Sequence, residues 1–168
     1  MMPVILGNYQ QKTVGETVPG ELFRVPLRKT SALCVTLETG HIGGMLVGIL
    51  SSAEVDRPSH INLGSHNDCI SFGTEWLLEP VLDSRSVPAP RQGEVESSTL
   101  YLQRDHAIIR LDVPQNPNDY EYLTADLLGG GRAELERNAV PVRHWRIWKT
   151  AEDRARPGTA PIIEFGAQ

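Results

Sequence analysis

Glycine and proline break this sequence into short segments, several of which alternate apolar and polar residues. Its 168 residues include 15 glycines and 12 prolines. In the segment 99–113, a turn at 104–105 would fold two such segments onto each other, with Leu100 opposite Ile109. Strand-length segments bounded by turn residues are typical of antiparallel sheets. We therefore predict a mainly β protein, an antiparallel sandwich or barrel, and a jelly roll is one topology that fits.

Two further pairs of strands are expected upstream. A two-residue turn at 39–40 would place Val35 opposite Gly44, so that the large aliphatic residues of the first strand face apolar residues or glycine. The short segments 60–63 and 69–72 have strand composition and are joined by a polar stretch. We expect them to pair as a hairpin.

One short helix is expected near residues 118–128. Asn118 could cap it, and Tyr120, Leu123 and Leu127 follow at helical spacing. Three glycines at 129–131 would end it.

The length and composition predict a single β-rich domain over residues 1–168. A chain of 18.6 kDa with 40% hydrophobic residues can bury a core without disulfides or metals. Residues 83–98 lose all periodicity and are expected to form a long irregular loop, of a length that is usually functional or disordered. From about residue 151 we expect a loosely structured tail.

Charge, cysteine content and hydropathy narrow the classes of function. A net charge of −5 argues against a protein devoted to nucleic acid, because phosphate binding needs a positive face. The two cysteines, Cys34 and Cys69, lie in apolar surroundings and do not make a disulfide framework. The N-terminus lacks the pattern of a signal peptide, and no segment approaches the ~20 apolar residues of a membrane span. The expectation is a soluble, cytoplasmic protein without membrane contact.

A candidate metal site lies between residues 60 and 69. His60, His66 and Cys69 carry side chains that bind zinc and other divalent metals. Their spacing matches neither a zinc finger nor the histidine–carboxylate pattern of cupin-type metal enzymes, and a polar hairpin loop explains the same residues. A divalent metal remains one alternative, and no other cofactor is indicated.

A candidate contact surface lies on the predicted strand 140–148. Arg143, His144, Arg146 and Trp148 fall in the region 132–156, which holds seven basic and four acidic residues in an otherwise acidic chain. Such a segment could contact nucleic acid by charge and stacking. We favour self-association instead, in which this basic strand meets an acidic face of a second subunit.

No sequence motif specifies a chemical reaction. The serines lack a nucleophile-elbow pattern and the glycine run lacks the residues of a phosphate loop. We expect a non-enzymatic binding or assembly module that forms homo-oligomers, and the sequence does not indicate a small-molecule ligand. The alternative is a metal-dependent, cupin-like β-barrel enzyme that uses His60 and His66, with His41 or His106 as a candidate further ligand.

Overall fold

The protein is built almost entirely from β-strands in the computed structural model, which describes residues 9–41, 43–82, 93–114 and 121–167. The strands are β1 (Gln10–Thr13), β2 (Leu22–Pro26), β3 (Ser31–His41), β4 (Gly44–Ser52), β5 (Ser59–Gly64), β6 (Asp68–Gly73), β7 (Leu77–Pro80), β8 (Leu100–Gln103), β9 (His106–Asp112), β10 (Tyr122–Asp126), β11 (Val140–Val142), β12 (Trp145–Trp148) and β13 (Ile163–Phe165). A 3-10 turn (Val14–Glu16) follows β1, and one short helix, α1 (Ala151–Ala155), follows β12. The predicted mainly β class is confirmed.

Two sheets account for these strands. The larger follows the order β1-β6-β2-β3-β4-β5-β9-β8-β11, and β10 pairs with β9. Its pairs are antiparallel except for a single parallel contact between Ser59 and Asp112, which joins β5 to β9. The smaller sheet has the order β13-β12-β7. The sheets pack on each other as in a sandwich, and this order of the described strands does not close into a barrel.

Both faces of β3 are buried over residues 32–37, and this is why five of these six residues are apolar. Leu33, Val35 and Leu37 belong to a core cluster shared with β8, β9 and β12. Cys34 belongs to a second cluster on the opposite face. A strand buried on both sides reads as a continuous apolar run.

The first six strands of the large sheet curl around the second core cluster. The 3-10 turn after β1 donates backbone hydrogen bonds to the β5–β6 connection, from Val14 to Asn67 at 2.8 Å and from Gly15 to Ser65 at 2.9 Å. These bonds draw the two ends of the six-stranded part together. The curl therefore has an interior, filled by residues such as Phe23.

The small sheet covers the main core. Trp145 and Ile147 of β12 are fully buried, as the alternation of this strand predicts. The Trp145 ring stacks on Phe165 of β13 with centroids 4.3 Å apart. Its indole N–H donates to the Ser98 carbonyl at 2.9 Å. These contacts fasten the C-terminal part of the chain to the body.

The predicted helix near 118–128 is wrong where the structure describes it, because Tyr122–Asp126 forms β10. Leu123, Ala125 and Leu127 alternate with period two and all join the main core cluster, so the partner strand β9 decides the conformation. The α-helix of the described chain is α1, where Thr150 Oγ1 accepts the Asp153 N–H at 3.0 Å. Asn118 lies outside the described residues.

One predicted hairpin is confirmed with its register, a second has the right strands in the wrong register, and a third pairing is wrong. Leu100 lies opposite Ile109, as the turn at 104–105 predicts. The turn at 39–40 does not exist: β3 continues through these residues, and Val35 pairs with Gly48, not Gly44. The cause is a set of register shifts between β3 and β4, which a simple two-residue turn does not allow for.

The strands β5 and β6 exist but are not partners of each other. β5 pairs with β4, and β6 pairs with β1 and β2, because the curl places the two strands at different positions in the sheet. Of the long loop, residues 83–92 lie outside the described part of the chain. Beyond residue 151 the chain forms α1 and β13. No helix in the described ranges combines the length and apolar character that crossing a membrane requires.

Candidate functional site

The three residues of the predicted metal site lie in different surroundings. His60 is half-buried on β5, His66 is exposed in the β5–β6 connection, and Cys69 is buried on β6 within the second core cluster. Burial, followed by the charge of Glu21, raises the pKa of Cys69 to about 11. Among the described residues no group of three histidine, cysteine or acidic side chains is placed to hold a metal ion. The metal site stays a prediction from sequence.

Two residues of the predicted contact strand pair with glutamates of the same chain. Arg143 donates from Nε and Nη2 to the Glu96 carboxylate at 3.0 and 2.9 Å. The hydrogen bond from Arg143 lowers the pKa of Glu96. His144 Nε2 lies 2.6 Å from Glu164 Oε1 on β13. These basic groups are therefore engaged within the subunit.

The other two residues of this strand meet Glu79 of β7. Trp148 donates its indole N–H to Glu79 at 2.6 Å, and Arg154 binds the same carboxylate at 2.8 Å. Arg146 lies 3.3 Å from Glu164 and 3.9 Å from Glu79. The hydrogen bond from Arg154 is the main cause that lowers the pKa of Glu79. The basic strand is thus part of an intramolecular network over the small sheet, and its contact with a partner remains a prediction.

A different cluster of polar side chains occupies one end of the curled part of the large sheet. We call it the polar mouth: Lys12, Thr17, Glu21, Thr36 and Ser71. All but Lys12 are at most 2% exposed. A strand's side chains alternate between faces, and Lys12, Ser71 and Thr36 point to the same side as the buried interior. Buried polar groups need partners, so this cluster has to be internally satisfied.

Glu21 is the centre of the polar mouth. Its carboxylate accepts from Lys12 Nζ at 2.5 Å, from the Val18 backbone N–H at 2.9 Å, and from the Ser71 hydroxyl. Burial by itself would raise the pKa of Glu21. The hydrogen bonds from Lys12, Ser71 and Val18 outweigh burial and hold the pKa below its ordinary value. Glu21 is therefore a fixed anion at neutral pH.

The two threonines close the interior side of the cluster. Thr17 Oγ1 donates to the Val14 carbonyl at 2.7 Å and lies 2.6 Å from Thr36 Oγ1. The Thr36 backbone N–H donates to the Glu21 carbonyl at 3.0 Å. This arrangement fixes the backbone from which the Glu21 side chain extends.

An open pocket of about 440 Å³ lies over the polar mouth. Its lining includes Tyr9, Lys12, Val18, Ser71 and Phe72. Its volume falls within the range of small-molecule sites. The pocket thus combines apolar walls with a small number of polar groups at its base.

Two lysines lie at or near this pocket. Lys12 is 17% exposed in its side chain, and within the described ranges Glu21 is the one ion-pair partner found for it. An ammonium has three donors, so Lys12 can bind a further acceptor. A second cation, Lys149 Nζ, lies 4.9 Å from the Phe72 ring centroid and 5.7 Å from that of Tyr9.

The geometry favours binding over bond-breaking chemistry. Ser71 Oγ donates to Glu21 and accepts the Gly73 backbone N–H at 3.0 Å, so both of its roles are taken. A carboxylate with a lowered pKa is a weak general base for activating this hydroxyl. What the site offers to a ligand is the remaining capacity of Lys12, flanked by aromatic surface.

Comparison with known proteins adds no relative: no family model, no curated protein and no solved structure matches this chain. Sequence reasoning missed the polar mouth because its members lie far apart. Lys12, Glu21 and Ser71 come from β1, the residue before β2, and β6. The pairing of β6 with both β1 and β2 brings these three residues together. The sequence pattern indicated that β6 pairs with β5 instead, so it could not predict this contact.

Proposed function

We propose that this protein is a non-enzymatic binding module that holds a small carboxylate with an apolar or aromatic portion in the polar-mouth pocket. The observation that carries the proposal is Lys12 itself. Its ammonium is fixed by a buried carboxylate at the base of an open pocket, with donors left for a further acceptor. A lysine held in this way recognises an anion without having to be ordered at the moment of binding.

The pocket walls support the apolar part of this ligand. Tyr9 is 39% and Val18 50% exposed, and both line the pocket beside the half-buried Phe72. Exposed apolar side chains around a concave site contribute binding free energy when a ligand covers them. Lys149 on the rim adds a second positive charge that attracts the carboxylate.

A titration of the 15N-labelled protein with benzoate, followed by NMR, tests this proposal. We expect saturable shifts of the Ser71, Phe72 and Thr74 amides. Benzamide has the same ring without the charge and should bind at least about tenfold more weakly, because a charge-assisted hydrogen bond contributes roughly 1.5–3 kcal/mol. Equal shifts with both compounds, or none at 20 mM benzoate, would overturn the proposal.

Two matched valine variants keep the test independent of the ion pair. Val18→Trp fills the pocket, whereas Val140→Trp changes another exposed valine on β11, 39% exposed and outside the pocket lining. The first variant should abolish the benzoate shifts and the second should leave them unchanged. Loss in both, or in neither, would contradict binding at the polar mouth.

We further propose that the protein acts in the cytoplasm as a homo-oligomer. Cys34 and Cys69 are free, and they lie in the same core cluster, close enough for Cys69 to help raise the pKa of Cys34. Free thiols near each other suit a reducing compartment. Self-association was expected from the basic strand, but its arginines have partners in their own chain, which directs attention to another surface.

A further inference from the structure

The outer face of β1, β6 and β2 is a part of the large sheet that the described residues leave uncovered. Ile70 at its centre is 44% exposed and lies in register between Gln11 of β1 and Arg24 of β2. Directly paired residues point to the same face of a sheet. These three side chains therefore form one row on the outside of the curl. We call the surface around them the Ile70 face.

Two opposite charges flank Ile70 on this face. Arg24 lies directly across from it on β2, and Asp68 lies two residues before it on β6, with its side chain on the same side. Both are exposed, and no ion pair involving either is found in the described part of the chain. The basic strand differs, because Arg143 and Arg154 are each held by a glutamate of their own subunit.

A groove of about 490 Å³ lies beside Ile70. Arg24 and Asp68 line it together with Pro26 and with Ile70 itself. The face therefore carries an exposed apolar side chain beside a concave surface. It also carries one charge of each sign, so it is complementary to itself.

From this arrangement we infer that a second copy of this chain docks on the Ile70 face about a twofold axis. Arg24 is one strand away from Ile70, about 4.8 Å, and Asp68 is about 6.7 Å along the strand. A twofold axis that runs diagonally between them through Ile70 exchanges the two positions. Each Arg24 then meets Asp68 of the other copy, and the two Ile70 side chains meet each other on the axis.

This inference rests on the proposal that the protein self-associates and is independent of the ligand pocket. Gln11, Arg24, Asp68 and Ile70 are absent from the pocket lining. Failure of the dimer would therefore leave benzoate binding unaffected, and failure of benzoate binding would leave the dimer unaffected.

Sedimentation velocity of single and mixed charge variants tests the inference. Arg24→Glu gives a face with two acidic groups, and Asp68→Arg gives a face with two basic groups. Each variant alone should dimerise at least about tenfold more weakly than the wild type, because both twofold-related contacts become repulsive. An equimolar mixture of the two variants, and the double variant Arg24→Glu/Asp68→Arg, should recover the dimer.

Every outcome of this experiment bears on the inference. A wild-type protein that stays monomeric to 500 μM would overturn it. A dimer that both single variants leave intact would place the interface elsewhere, and a mixture that fails to associate would refute the reciprocal pairing. Both residues are exposed, and circular dichroism of each variant checks that the fold is retained.

Discussion

Replacement of Lys12 by Met removes the cation that, among the described residues, forms an ion pair with the buried Glu21 carboxylate in the polar mouth. Glu21 is 3% exposed in its side chain and Lys12 17%, so the pair is largely shielded from water. Breaking a fully buried ion pair by removing one partner costs about 3–5 kcal/mol. Glu21 keeps its hydrogen bonds from Ser71 and Val18, and Lys12 reaches solvent, so we expect a loss near 2–3 kcal/mol at pH 7.

The pH dependence of this loss identifies its cause. Without Lys12, burial is opposed only by Ser71 and Val18, so the pKa of Glu21 rises. In the wild type the pKa of Glu21 is lowered. The ionised Glu21 carboxylate therefore stabilises the fold at pH values above its unfolded-state pKa, and this stabilisation is lost as the pH falls through the folded-state pKa. The difference between Lys12→Met and wild type should therefore be largest at pH 7 and shrink as the pH falls, because the raised pKa lets Glu21 of the variant take up a proton before Glu21 of the wild type.

Urea unfolding at pH 7 and pH 4, followed by tryptophan fluorescence, measures both quantities. The control is the double variant Lys12→Met/Glu21→Gln, in which no buried charge remains unpaired, and it should be more stable at pH 7 than Lys12→Met alone. A loss below 0.5 kcal/mol at pH 7, or an equal loss at both pH values, would refute the reasoning.

Three further predictions concern other parts of the molecule. Burial raises the pKa of Cys34 to about 12 and that of Cys69 to about 11. Both thiols should therefore resist Ellman's reagent in the native protein at pH 8 and react after unfolding in guanidinium. Rapid reaction of either thiol in the native protein would contradict this. His106 Nδ1 lies 2.8 Å from Asp126, and this hydrogen bond raises the pKa of His106, so NMR titration of Asp126→Asn should give a lower pKa for His106. Any stability that the pair contributes should be lost as the pH rises through the raised pKa. An unchanged pKa of His106 in the variant would refute the assignment. Gly166 and Gly158 both have positive φ, 72° and 81°, but a Cβ at Gly166 would overlap the Arg143 carbonyl, whereas nothing lies within 4 Å of one at Gly158. In urea unfolding, Gly158→Ala should lower the free energy of unfolding by about 1–2 kcal/mol and Gly166→Ala by clearly more. Equal losses would argue against the docking of β13 on β12.

The fold class could be predicted from sequence because it depends on local patterns. The β8–β9 hairpin has a short polar turn, and its register follows from alternation alone. Residues 122–126 show the limit of such patterns. Leu123 and Leu127 fit a helical spacing, yet with Ala125 they also fit period two. Pairing with β9 selects the strand conformation.

The candidate site could not be predicted, since it depends on pairings between distant segments. Lys12, Glu21 and Ser71 have no motif, and each looks like an ordinary surface residue in its own segment. They meet because β6 inserts between β1 and β2. The charged strand shows the opposite error: Arg143 and Arg146 stand out in sequence, but glutamates from β7, β13 and the segment before β8 neutralise them.

A crystal structure of the protein soaked with 4-bromobenzoate tests the binding proposal most directly. The bromine can be located by its anomalous signal without reference to the surrounding density. The proposal predicts one strong bromine peak beside Tyr9 and Phe72, with the carboxylate within hydrogen-bonding distance of Lys12 Nζ. An accessible but empty pocket at saturating ligand, or bromine bound only elsewhere on the surface, would contradict it.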